Sequence, residues 1–146
     1  MSLFALVLEV HAIAAVLGVG LLGAIPVTAA FVRRRGAAVV DESDLIATLL
    51  RYTLWSLVIV GLSGVLLEVA ARGAFHSALW FQGSVALYLV LGFLHGRARR
   101  ALRKGLRAAA DPGARLASLQ SVERWGWAMC AAASGIAVLM VVKPFA

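Results

Sequence analysis

This sequence is poor in charge and in cysteine, and each shortage excludes a class of protein. Charged residues make up only 14% of the 146 residues, whereas hydrophobic residues make up 62%. An ordinary soluble domain is about one quarter charged, so this chain lacks the polar surface that would cover a soluble core, and it is too apolar for a disordered protein. The single cysteine, Cys130, excludes an intramolecular disulfide and a Cys-x-x-Cys redox pair. The composition therefore predicts an integral membrane protein.

Four apolar segments are long enough to cross a bilayer, which takes about 20 helical residues. They cover residues 3–32, 45–71, 79–95 and 125–142, of which the third is short. Their apolar runs are continuous and do not alternate with polar residues, which favours helices over a barrel. No basic residue precedes the first segment, so we expect it to be a span and not a cleaved signal peptide. The sequence predicts an all-α bundle of four transmembrane helices, forming one membrane domain over residues 1–146.

Basic residues are distributed unequally between the two sides of these spans. Twelve of the 14 Lys and Arg residues lie in or beside the segments that join span one to two and span three to four, which leaves Arg72 and Lys143 on the other side. Cytoplasmic loops carry the excess of Lys and Arg. We therefore predict that both ends of the chain face outward, in a multi-pass protein of the bacterial cytoplasmic (inner) membrane.

Most of these cations lie in segment 96–124, which we expect to be a basic cytoplasmic loop. A polybasic segment beside a span is typical of contact with anionic lipids. Residues 101–110 are expected to form a short amphipathic helix at the interface, and His95 is expected to lie at the same interface without binding a ligand. Since aromatic residues are not interleaved with the cations, we do not expect nucleic acid as a partner.

A few ionisable residues lie at membrane depth, where they are costly and mark functional sites. His11, Glu9, Glu68 and Lys143 are predicted in the outer half of the bundle, whereas Arg51 begins the second span at the inner face. A neutral imidazole among small residues is what haem iron ligation requires, although a histidine bonded to a neighbouring helix would give the same pattern. Glu9 lies about 200° around the helix from His11, so it would pair with a basic group such as Lys143, point outward as a snorkelling carboxylate, or carry protons.

Two glycines of the second span also indicate a site in the outer half of the bundle. Gly61, Gly64 and Glu68 share one stripe of the second span, which allows close packing and points Glu68 into the bundle. If His11 binds iron, the second axial ligand would be His76 in the loop above, Met140 in the fourth span, or none.

Four motifs follow one another along nearly the whole chain. They are His11 with Pro26 fifteen positions later, Arg51 followed by Gly61 to Gly64, Trp80 with His95 fifteen positions later, and the closing run Val141-Val142-Lys143-Pro144-Phe145. In these motifs the chain resembles the HemJ-type protoporphyrinogen oxidases and the related CopD-like four-helix membrane proteins.

The resemblance implies a membrane protein that binds haem b, with His11 as an axial ligand of the iron. Glu68, Glu9 and Lys143 would line the outer pocket, and Arg51 would pair with a haem propionate or an acidic lipid. An oxidoreductase of porphyrin biosynthesis is implied, acting on a tetrapyrrole such as protoporphyrinogen IX, or on a quinol. Whether the chain is an enzyme stays open.

Three departures from the family pattern count against protoporphyrinogen oxidation. Ser84 stands where the family has lysine, Gln82 stands where it has histidine, and Gly126-Trp127 replaces an Asn-Glu pair. Two other functions are therefore kept as alternatives. One is a proton-coupled small transporter that uses Glu9, and the other is a non-catalytic subunit of a larger membrane complex. A homo-oligomer or a membrane complex is the expected assembly.

Overall fold

The computed structural model describes residues 2–35, 41–108 and 110–143, and only the backbone of residues 41–43. Pro144 and Phe145 of the closing motif lie outside the described residues. The described chain forms four helices, namely α1 (Leu3–Arg35), α2 (Asp41–Ala70), α3 (Leu79–Arg107) and α4 (Pro112–Val142). All four are long and apolar enough to cross a membrane. The prediction of an all-α, four-helix membrane bundle is confirmed.

The helices run alternately up and down, and three of the four neighbouring pairs pack closely. α1 packs along α2 and α4, α3 packs along α4, and α2 touches α3 over only a short stretch. We call the end of the bundle that carries Leu3, Ala70, Leu79 and Val142 the outer end, and the opposite end the basic end. α1 and α3 thus lie on one diagonal, and α2 and α4 lie on the other.

The buried core occupies the middle of the bundle and its basic end. Its members on α1 begin at Leu22 and those on α3 begin at Leu91, while those on α4 reach only to Ala133. At the crossing of α1 and α4, Gly126 lies against Pro26, and a Cβ atom built on this glycine would be 2.9 Å from the proline Cβ and Cδ atoms. The outer half of the bundle is therefore the part that the core does not fill.

The structure corrects the expected loop over 96–124 and the separate helix over 101–110. α3 continues to Arg107 without a break, and α4 already begins at Pro112. The Asp111 side chain caps α4 by accepting hydrogen bonds from two backbone amides, at 2.9 Å and 3.1 Å. A 29-residue helix is about 43 Å long, so α3 extends beyond the hydrocarbon layer of about 30 Å.

The reason for the longer helices is an apolar stripe that runs through the basic segment. Residues on one face of α3 are buried at helical spacing, and they continue the core to the end of the helix: Leu91, His95, Ala98, Leu102 and Gly105. They meet a matching buried stripe on α4: Ser118, Leu119, Val122 and Gly126. The two helices thus support each other outside the membrane, while contact of this segment with anionic lipids stays a prediction.

Candidate functional site

A cavity of about 500 Å³ lies between the four helices in the unfilled outer half of the bundle. Its wall consists mainly of aliphatic and small residues, which include Ala15 and Gly18 of α1, Val60 of α2 and Ile136 of α4. Five polar side chains belong to the wall: His11, Ser56, Glu68, Ser84 and Tyr88. The site is therefore a hydrophobic chamber whose chemistry depends on a few polar groups.

His11 projects from α1 across the face of α2. A Cβ atom built on Gly64 would lie 3.6 Å from the His11 Cε1 atom, at ordinary van der Waals distance, so the ring lies directly against α2 at this glycine. The imidazole is only partly buried and forms part of the cavity wall. The ring therefore reaches from one helix to the next and presents an edge to the chamber.

One hydrogen-bond chain favours one tautomer of this ring. The Ser63 Oγ atom lies 2.9 Å from His11 Nδ1, 2.6 Å from the Ile59 carbonyl oxygen and 3.1 Å from that of Val60. A hydroxyl has one hydrogen, and its shortest contact is to Ile59. When it donates there, only oxygen lone pairs face Nδ1, so Nδ1 carries the ring hydrogen and Nε2 keeps its lone pair.

The three hydroxyl groups on the wall already have partners. They donate to backbone carbonyls, Ser56 to Ala14 at 2.7 Å, Ser84 to Trp80 at 2.8 Å, and Tyr88 to Leu57 at 2.6 Å. Such bonds satisfy polar groups that would be costly inside a membrane protein. Among the wall side chains that the structure describes, His11 is thus the group with a free nitrogen lone pair for a ligand.

Glu68 also lies on the wall, where it holds the turn over 71–78 that joins α2 to α3. Its carboxylate accepts hydrogen bonds from the backbone N–H of Phe75 at 3.2 Å and of His76 at 2.8 Å. The His76 ring is exposed, its Nδ1 donates a hydrogen bond to the Gly73 carbonyl of this same loop, and Nδ1 lies 3.6 Å from the Glu68 carboxylate. The turn therefore engages both side chains, and His76 does not line the cavity, whereas Met140 does.

Two of the four residues that the sequence grouped in the outer half do not line the cavity, which corrects the expected convergence, whereas Arg51 lies towards the basic end as predicted. Glu9 is exposed on the surface of α1 because it points away from the His11 face. Lys143 is exposed beyond the end of α4, and its Nζ atom lies 5.6 Å from the centre of the Trp80 ring. Arg51 is exposed and lies 17 residues from Glu68, about 25 Å along α2. His11 and Glu68 are the two predicted residues that the structure brings together.

Sequence reasoning missed two residues of the site. Ser63 and Tyr88 act through hydrogen bonds between helices, and a single serine or tyrosine in an apolar span carries no periodic signal for such a role. His95, which was expected at the membrane interface, faces α2: it is 4% exposed, and its Nε2 atom lies 2.9 Å from the Leu50 carbonyl oxygen.

The described residues include no group of three or more His, Cys, Asp or Glu side chains that could hold a metal ion. No protein-family model, curated protein or solved structure matches this chain. The resemblance to the HemJ-type oxidases therefore stays a prediction that rests on its motifs.

Proposed function

We propose that this protein binds haem b in the outer cavity, with His11 Nε2 as an axial ligand of the iron, and serves as a redox protein of the bacterial cytoplasmic membrane. The observation that carries the proposal is one imidazole with a free Nε2 lone pair at the edge of an apolar chamber of about 500 Å³. Haem iron is commonly held by a single proximal histidine.

The donor set of the cavity suits haem better than a bare metal ion. A porphyrin supplies four nitrogen ligands itself, so the protein needs to contribute only one or two. The bond between His11 Nδ1 and Ser63 is the kind of second contact that orients a metal-binding histidine. Met140 lies on the same wall, and a methionine thioether is a known axial ligand of haem in combination with histidine.

A haem also needs apolar walls for its ring and cations for its propionates. Small residues on two walls leave room for a flat molecule, among them Ala15, Gly18 and Gly64. Lys143 is the basic residue that we assign to the propionates, because its ammonium group lies over Trp80 at the outer end. Arg51 is not assigned to the propionates here, since it lies about 25 Å from Glu68 along α2, towards the basic end.

When bound, the haem would supply one-electron transfer, and the protein would supply binding, orientation and exclusion of water. His11 would fix the iron, Ser63 would hold the tautomer, and the aliphatic wall would keep water away. A tetrapyrrole or a quinol is the proposed electron donor. Ser84 stands at the position where the related oxidases have a lysine, and its hydroxyl is bonded to the Trp80 carbonyl, so this position offers no charge to a substrate.

The test is the absorption spectrum of protein purified in detergent from haem-replete cells. The wild-type protein should show a Soret band, and His11→Ala should lose it because the iron loses its protein ligand. His76→Ala is the matched control and should keep the band, since the His76 ring lies outside the cavity. A colourless wild-type protein, or an unchanged band in His11→Ala, would contradict the proposal.

A second pair of variants tests the cavity separately from the ligand. Ala15 lies on the cavity wall one turn from His11, whereas Ala12 is exposed to the surroundings of the bundle. Ala15→Phe should fill the space beside the imidazole and abolish haem binding with His11 intact, while Ala12→Phe should bind haem as the wild type does. Equal haem content in the two variants would place the haem elsewhere.

A further inference from the structure

The four helices leave one seam of the bundle unsealed, between the outer halves of α2 and α3. These two helices form the least extensive of the neighbouring contacts. The hydrogen bonds that tie them together lie inward of the cavity mouth, namely Tyr88 to the Leu57 carbonyl at 2.6 Å and His95 to the Leu50 carbonyl at 2.9 Å. The seam is thus closed towards the basic end and open towards the outer end.

The opening is bounded on all four sides by described parts of the chain. Its long sides are the stretches 61–69 of α2 and 81–88 of α3, about 11 Å each at 1.5 Å per residue. The turn over 71–78 crosses its outer end, where Glu68 holds the backbone of that turn. The Tyr88 side chain closes its inner end. We call this opening the window.

The residues at the edge of the window are apolar and belong both to the cavity wall and to the outer surface. Val65 and Val69 on α2 are 63% and 69% exposed, and Val85 on α3 is 43% exposed, yet each lines the cavity. Since α2 and α3 are both of membrane-spanning length and hydropathy, such side chains face acyl chains, and the window opens into lipid.

We infer that the cavity is loaded sideways from the lipid phase, through the window between α2 and α3, and that its ligand is a membrane-dissolved molecule with a largely apolar body. A water-borne ligand would need a polar path from the outer end. That end carries instead the 71–78 turn and a cluster of three aromatic rings. The Trp80 ring lies 5.7 Å from Phe75 in a tilted contact and 5.9 Å from Phe81 in an edge-to-face contact, measured between centroids.

This inference rests on the proposed function only in taking the cavity as the ligand site. It names the class of ligand and its route, and it holds equally for a porphyrin and for a quinol. The wall that faces the window is formed by α1 and α4, where Ile136 is partly buried. A reagent that travels through the lipid should therefore reach Ile136.

The first experiment uses photolabelling and needs no haem. Wild-type protein in phosphatidylcholine nanodiscs is irradiated with an apolar diazirine that partitions into the bilayer, and the labelled residues are identified by mass spectrometry. Ile136 should be labelled. In the double variant Val65→Trp/Val85→Trp, which narrows the window, this labelling should fall at least fivefold. The control Leu62→Trp/Val90→Trp changes exposed residues of the same helices outside the wall and should label as the wild type does.

Three outcomes would overturn the lateral route. They are an unlabelled Ile136 in the wild type, equal labelling of Ile136 in both double variants, and stronger labelling by a charged, water-soluble diazirine than by the apolar one.

The second experiment measures how fast the apoprotein binds hemin that has been dissolved beforehand in the nanodisc lipid. The signal is the growth of the Soret band of the complex. The narrowed window should lower the rate constant at least tenfold, whatever final amplitude it reaches, and the control variant should match the wild type in rate constant. Equal rates would overturn the route. If wild-type protein binds no hemin, the haem proposal fails, and the labelling of Ile136 still decides the route.

Discussion

The contact between Gly126 and Pro26 gives the sharpest prediction about the stability of the bundle. In Gly126→Ala, the new methyl carbon would lie 2.9 Å from two atoms of the proline ring and 3.1 Å from its nitrogen. The ring is closed onto the backbone of α1 and cannot rotate away, so the helices must separate. Overpacking of this kind costs about 1–3 kcal/mol. The same substitution gains up to about 1 kcal/mol from the helix propensity of alanine.

Comparison with Gly20→Ala separates the steric cost from the gain in helix propensity. A Cβ atom on Gly20 would meet nothing within 4 Å, so this variant gains the propensity without the clash. The free energy of unfolding should therefore be about 1–3 kcal/mol lower in Gly126→Ala than in Gly20→Ala, which is about a 5- to 150-fold difference in the unfolding equilibrium constant. Unfolding by SDS in mixed micelles, followed by circular dichroism, measures it. Equal stability of the two variants would refute the close crossing of α1 and α4.

Two further predictions concern the imidazole and the orientation. Ser63→Ala removes the hydrogen-bond partner of His11 Nδ1 and should weaken hemin binding about 10- to 100-fold in a titration, with Ser63→Thr restoring most of it; an unchanged affinity would show that the tautomer of the ring is held in another way. In a Cys130→Ala background, Ser77→Cys should react with a membrane-impermeant maleimide in intact cells, whereas Gln120→Cys should react only after lysis. The reverse pattern would invert the orientation.

The helices were predictable from hydropathy, but their ends at the basic side were not. The apolar run stops near His95 because α3 leaves the hydrocarbon layer there, and hydropathy reports that exit and not the end of the helix. The continuation to Arg107 depends on the buried stripe with Ala98, Leu102 and Gly105, which packs on α4. The helical spacing of small and apolar residues inside the basic segment indicates this continuation, but the many arginines between them make the segment resemble a loop.

The site was predictable only where a side chain's direction follows from helical geometry. His11 and Glu68 lie on helices whose small-residue stripes point inward, and both line the cavity. Glu9 shares the depth of His11 but not its face, and its exposure agrees with the offset of about 200° between the two residues. Lys143 follows the last helical residue, and its backbone has a positive φ of 44°, so no helical periodicity applies to it. The partners of Glu68 come from a turn, which a periodic pattern does not describe.

The four-residue link between α3 and α4 also bears on the order of assembly. Helices joined by so short a connection can pair as soon as both are inserted, because local contacts close at little entropic cost. The crossing at Pro26 and Gly126 joins residues roughly 100 positions apart and must wait for the last helix. Since α1 and α4 form the back wall of the chamber, the chamber does not exist until α4 has packed against α1, and a ligand can occupy it only after that step.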